Sequence, residues 1–293
     1  MDSAVFTIGL PAALAVIMFG LGLSLTVQDF VRVATVPRAA VISLACQTVV
    51  LPLLCLGLVH ALGLAPELAV GMMLLAASPG GTTANLYSHV AGGDVALNIS
   101  LTAVNSVLAI VTLPVVVNLS VAHFMGDDAG LGLQPGKMLQ VCALVLLPVA
   151  LGMLLRRRRP VATEKLRRPV KRASIAVLAG VVAAAMVQGW DSARDHLLLI
   201  GSATLLLCVM SLAVGYGVPK LLGISRAQSI ASAMEIGIHN SALAITVAVT
   251  LLDNATIAVP PALYGVLMNV PAACAAYLFA RRATRRDPHP ATT

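Results

Sequence analysis

The sequence predicts an all-α polytopic membrane protein of about nine transmembrane helices, built as an inverted repeat. Three observations lead there. Mean hydropathy is +0.94 and only 11% of the 293 residues are charged, which places the chain outside the range of soluble domains. Pro, Gly and charged residues divide it into nine apolar segments, and its length has room for about nine or ten spans of roughly 20 residues. Two of those segments, one in each half, are interrupted by polar, turn-forming residues.

The segments run roughly over 4–27, 38–61, 67–92, 95–122, 137–156, 172–190, 195–218, 227–252 and 256–280. Asp2 precedes the first without a charged leader region, so a cleavable signal is not expected. With the N-terminus outside, the inner loops collect Arg32 and Arg38, the run "RRRRPVATEKLRRPVKR", Lys220 and Arg226, and the terminal "RRATRR". The outer side keeps Lys137 and Arg194 among Asp127, Asp128, Asp191, Asp195 and Asp253. This bias predicts a multi-pass protein of the cell inner (plasma) membrane, N-terminus outside and C-terminus cytoplasmic. The net charge of +7 therefore reports orientation and contact with membrane lipid headgroups, and no nucleic-acid partner is expected.

Cys46, Cys55, Cys142, Cys208 and Cys274 lie singly in apolar segments without metal-ligand spacing, so they read as small core hydrophobes. The eleven methionines read as packing. His60, His123, His196 and His289 fall at span ends or loops, and His89 reads as interfacial.

The third segment contains "SPGGTTAN", in which Pro79, Gly80 and Gly81 interrupt the helix near its centre. The eighth contains "SAMEIGIHNSA", placing Glu235, His239, Asn240 and Ser241 around Gly237 at mid-membrane depth. An ionisable group there costs at least about 2.5 kcal/mol on insertion scales. Non-helical backbone at that depth is tolerated only where protein buries it or it lines a cavity. The bland reading is a Pro/Gly kink beside a satisfied buried carboxylate.

Position argues for more. One break runs out to in and the other in to out, as an inverted repeat requires. The expected organisation is a first repeat over 1–122 with its broken helix at 67–92, an external connection over 123–136, a second repeat over 137–280 with its broken helix at 227–252, and a basic cytoplasmic tail over 281–293. The repeat is imperfect, with four spans against five. Paired interrupted segments point to the binding site of a secondary transporter. In the fourth span Asn98, Thr102 and Asn105 recur at i, i+4 and i+7, so they share a helix face, and Asp94 is the expected N-cap of that helix. Interhelical hydrogen bonding is the bland role for such a stripe. Facing the broken helix, its oxygens suit a hard cation such as Na⁺.

The stretches "SPGGTTANLYSHVAGGDVALNISLTAVNS" and "EIGIHNSALA", with "IMFGLGLSL" (Ile17–Leu25) and "QTVVLP" (Gln47–Pro52), resemble the signatures of the bile acid:sodium symporter family. The resemblance covers nearly the whole chain. Bacterial members often have ten spans, and this chain corresponds to their second onward, as in the nine-span vertebrate transporters.

The resemblance implies a core domain of six helices in which the two broken helices cross, and a panel domain of spans one, five and six. It implies a symporter importing an organic anion, bile acid-like or a small carboxylate, by alternating access, with Na⁺ as coupling ion and no other cofactor or metal. One sodium site would draw on Asn85, Asn98, Thr102 and Glu235. The other would draw on Gln47, Glu235, the backbone carbonyls of Ile236 and Ile238, and the side chain of His239. Thr82, Asn240 and Asn269 match positions facing the substrate. Three residues depart from the family pattern: Ala84 and Asn98 stand where hydroxyl side chains are usual, and His239 replaces a Gln.

Proton-driven or uniport transport on the same fold is the nearest alternative. An intramembrane enzyme is remote and none is expected: "AGGD" lacks a second mid-span aspartate, and Ser241 with His239 on one helix makes a poor hydrolase pair.

Overall fold

The computed structural model describes residues 9–126, 135–194 and 197–284. Over them the chain is an assembly of α-helices. Helix α1 spans Leu10–Gly22. It bends by 63° into α2, Val27–Thr35. The next span is α3 (Pro37–Ala45), a π-helical turn (Cys46–Val50) and α4 (Leu51–Ala61). The first broken helix is α5 (Pro66–Ala77) followed by α6 (Ala84–Val90), and α7 runs over Val95–Met125. In the second half α8 is Pro135–Arg158, α9 Pro160–Ala193 and α10 Leu197–Leu221. The second broken helix is α11 (Arg226–Gly237) and α12 (Ser241–Thr246), which continues as a π turn over Val247–Leu251. Helices α13 (Val259–Leu267) and α14 (Asn269–Thr284) form the last span.

Four continuous helices among the described residues are long and apolar enough to cross a membrane: Pro37–Ala61, Val95–Met125, Leu197–Leu221 and Val259–Arg281. Their outward faces carry exposed Leu53, Val111, Leu119, Leu206 and Val266. Large apolar side chains pointing away from the bundle are what a lipid solvent accepts.

Two connections differ from the loops expected. Residues 27–35 form α2, opened by a capping box in which Thr26 Oγ1 donates to Asp29 Oδ2 at 2.8 Å and Thr26 N–H donates to the same oxygen at 2.6 Å. The basic stretch after Arg159 is helical too, because Pro160 can open a helix and Glu164–Arg168 are good helix formers. Its charge kept those residues exposed without unwinding them.

Arginines near the helix ends also hold the bundle. Arg38 Nη2 donates to Leu222 O at 2.7 Å, Arg156 to Ser24 O and Arg226 to Phe279 O. The first two place a cation at the C-terminal end of a helix, where the dipole and the orphan carbonyls favour it.

Helix α1 packs against α8 and α9. A Cβ at Gly22 would strike the Val149 backbone, and one at Gly152 would strike Phe19 O, so this contact depends on small residues. A second apolar cluster joins α4, α5, α10, α11 and α13 through Leu58, Leu75, Leu207, Ile236 and Tyr264.

Candidate functional site

Both breaks follow from local chemistry. Ser78 precedes Pro79 and is driven to extended backbone, φ −74° and ψ 145°. Ile238 is also extended, φ −125° and ψ 92°. The two extended stretches lie antiparallel, with Gly80 opposite His239. Gly81 N–H donates to Ile238 O at 2.6 Å, and Asn240 N–H donates to Pro79 O at 2.8 Å. Each break thus satisfies backbone groups of the other. Glycine is needed for the approach, because a Cβ at Gly80 would collide with the Glu235 carboxyl group.

The remaining freed carbonyls are met by side chains. Ser78 O accepts from Gln47 Nε2 at 3.0 Å and lies 3.2 Å from His239 Nδ1. Since a carbonyl only accepts, that nitrogen carries the proton. Gly237 O accepts from Tyr264 Oη at 2.8 Å. Gln47 reaches inward from the π turn, a feature frequent at functional sites. The turn lies just before Pro52, which cannot donate to Thr48 O.

Glu235, fully buried on α11, is the centre of the arrangement. Thr102 Oγ1 donates to one carboxylate oxygen at 2.5 Å and Asn105 Nδ2 to the other at 3.0 Å. Both partners are neutral. One helical turn away, Asn98 Nδ2 donates to Ala231 O at 2.7 Å. Asp94 caps α7 by accepting from Leu97 N–H at 3.0 Å, which fixes the face that the stripe presents.

Five buried acceptors on the π turn, α6, the polar stripe and the second break have no hydrogen-bond donor: Gln47 Oε1, Asn85 Oδ1, Asn98 Oδ1, Asn105 Oδ1 and His239 Nε2. Buried oxygens left bare cost about 1–3 kcal/mol each. A cation removes that cost and balances the carboxylate. Hard oxygen donors match Na⁺. A cavity of about 10 Å³ lies beside them, lined by Gln47, Thr48, Pro79, Asn105, Thr112 and Val116, enough for about one water or ion.

The structure brings Thr102 to Glu235 and brings Gln47 and His239 to one carbonyl. Asn85 is half-buried with its oxygen bare, and Ile236 is buried. The Ile238 carbonyl is engaged by Gly81. Thr82 is exposed on the turn into α6. Asn240 caps α12 by accepting from Leu243 N–H at 3.1 Å. Asn269 Oδ1 accepts from Tyr87 Oη on α6 at 3.2 Å. Asn105, visible on the polar stripe, was not among the ligands that the family resemblance implies, and the role of Ser78 O had no sequence signal.

Two interrupted helices that cross beside a buried carboxylate, inside an all-helical polytopic membrane protein, define the architecture of a secondary transporter. The chain belongs to the Sodium Bile acid symporter family, whose pattern matches residues 11–194. It is 28% identical over 277 residues to the "Uncharacterized sodium-dependent transporter YocS" of Bacillus subtilis, covering 94% of this chain and 84% of that one. It is 27% identical over 276 residues to the "Probable sodium/metabolite cotransporter BASS1, chloroplastic" of Arabidopsis thaliana, covering 93% and 67%. It is also 27% identical over 251 residues to the "Ileal sodium/bile acid cotransporter" of Oryctolagus cuniculus, covering 84% and 70%. The family is one of transporters, with Na⁺ as coupling ion, and not of enzymes.

Proposed function

We propose that this protein is a sodium-coupled symporter that imports an organic anion across the plasma membrane by alternating access. The observation that carries the reading is Glu235, a buried carboxylate whose hydrogen-bond partners are all neutral, together with the bare oxygens of the π turn, α6 and the polar stripe. One sodium ion is assigned to Glu235, Thr102, Asn98 and Asn85. The second is assigned to Glu235, Gln47, His239 and the carbonyls of Ile236 and Ile238. The anion is assigned to the opposite side of the crossing, near Thr82, Asn240 and Asn269. There Asn240 begins α12 and Ser241 Oγ is buried without a partner. A helix N-terminus favours an anion, and bound sodium links ion and substrate affinity as a coupling free energy.

The moving parts are the panel of α1, α8 and α9 and the core of the other helices, with repeats over 1–122 and 137–280 and a cytoplasmic tail over 281–293. The substrate class follows from a family whose relatives are named for bile acids and metabolites. A thermal-shift screen of organic anions, with and without sodium, selects the substrate. Uptake of that anion is then measured for Glu235→Ala in vesicles. The variant is expected to insert and fold yet lose sodium-dependent uptake, and uptake at the wild-type level overturns the assignment.

A further inference from the structure

The end of the bundle away from Arg156–Arg159 carries a second cluster of ligating side chains. His60 occupies the last turn of α4 and His123 the last turn of α7. At 1.5 Å per residue these helices carry the pair roughly 20–27 Å beyond Gln47 and Asn105. Both rings are exposed, with Nε2 atoms 2.9 Å apart and planes at 82°. The Phe124 ring backs the pair, its centroid 5.1 Å from that of His60 and 4.7 Å from that of His123.

We infer that His60 and His123 form a binding site for a first-row divalent transition metal, Cu²⁺ or Ni²⁺ ahead of Zn²⁺, that ties the end of α4 to the end of α7. Imidazole nitrogen is a ligand for these ions and a poor one for Na⁺. With metal–nitrogen bonds of about 2.0–2.1 Å, two cis ligands at a right angle lie about 2.9 Å apart, and two tetrahedral ligands about 3.3 Å. The two nitrogens share a hydrogen bond across the observed 2.9 Å, so a metal ion takes the place of its proton, and the general order of affinity along the first row puts Cu²⁺ first. Exposure of both rings leaves the other coordination positions to water. Two helix C-termini meet here, and each carries the partial negative charge that favours a cation.

The position gives the metal a mechanical consequence. Helix α4 continues from the π turn that holds Gln47, and α7 carries Asn105. The small cavity between those residues is walled further along by Pro52 on α4 and by Thr112 and Val116 on α7, toward the His60–His123 end. A metal on the pair holds the two walls of this seam together at its far end.

The test is direct titration of purified protein, without a histidine tag and in sodium-free buffer, with Cu²⁺, Ni²⁺ and Zn²⁺ salts by calorimetry. One equivalent of Cu²⁺ is expected to bind more tightly than Ni²⁺ or Zn²⁺. His60→Ala and His123→Ala are each expected to lose about tenfold or more in affinity, since even outer-sphere partners of a metal are worth about 10–100-fold. His89→Ala is expected to bind as wild type does. His60→Gln and His123→Gln replace either alanine variant that fails to fold. Absence of saturable binding by wild type, binding that survives in both variants, or loss in only one of them overturns the bridge. The sodium-free readout leaves the reading of Glu235 untouched by either result.

Discussion

Around Glu235, hydrogen bonds and bare acceptors have separable roles. Thr102 and Asn105 hold the carboxylate, while the buried oxygens of Asn98, Asn85 and Asn105 have no hydrogen-bond donor. A hydrogen bond to a charged group contributes about 1.5–3 kcal/mol, and each 1.4 kcal/mol is a factor of about ten in affinity. Thr102→Ala is therefore expected to raise the sodium concentration for half-maximal uptake about tenfold or more. Asn85→Ala is expected to act in the same direction, and both effects should shrink in saturating sodium. An equal loss of substrate affinity at every sodium concentration would make these residues substrate contacts instead. The stripe was legible because i, i+4, i+7 spacing fixes a helix face before any partner is known. The shared carbonyl of Ser78 was not, because it depends on a partner 161 residues away at His239.

His239 is the residue where charge can enter the second of the two proposed sodium sites. Its Nδ1–H points to Ser78 O, so the neutral ring leaves Nε2 as a buried, unpartnered acceptor. The ring packs beside Tyr264, with centroids 5.4 Å apart. A second proton on the ring adds positive charge and removes the lone pair, and both effects oppose a bound cation. Acidification far enough to add that proton is expected to raise the half-saturating sodium concentration in wild type. His239→Gln should flatten that dependence. Parallel pH responses of the two proteins would remove His239 from the coupling mechanism.

Among elements, the breaks were readable and the bridge between them was not. "SPGG" announces an interrupted helix through proline's missing N–H and glycine's poor helix propensity. Nothing in either stretch alone says that Gly80 will lie against the Glu235 carboxyl group. That approach yields a compensation test. Gly80→Ala inserts a methyl into a filled space and should cost about 1–3 kcal/mol of stability. In a Glu235→Ala background the same methyl has room, so the cost should largely disappear in melting curves. Additive costs would mean that Gly80 serves the backbone path and not the carboxylate. Helix α2 escaped the sequence reading for a different reason: its box closes with Asp29 rather than the usual Glu or Gln.

At the scale of the whole molecule, the charge asymmetry has two physical roles. In the proposed orientation it marks one end of the bundle as cytoplasmic, and Arg38, Arg156 and Arg226 use the same charge to bind helix carbonyls there. The orientation is open to direct measurement on a cysteine-free background. Arg159→Cys and Ala65→Cys both replace exposed residues. A membrane-impermeant thiol reagent applied to whole cells is expected to label Cys at 65 and to spare Cys at 159 until the membrane is opened. The reverse pattern overturns the orientation. Hydropathy made the segments legible, whereas the packing of α1 against α8 through Gly22 and Gly152 required the coordinates.

The paired breaks also set a timetable for biosynthesis. Gly81 and Asn240 donate to carbonyls in the opposite half of the chain, so neither break can complete its backbone pairing alone. At about 5–20 residues per second, the ribosome delivers the region of His239 roughly 10–30 s after Ser78. Throughout that interval the first break has left the ribosome with its hydrogen-bond partner not yet made. Hydrocarbon is a poor place for it. The insertion machinery, or water held beside the nascent helices, must shelter those backbone groups until the second half arrives.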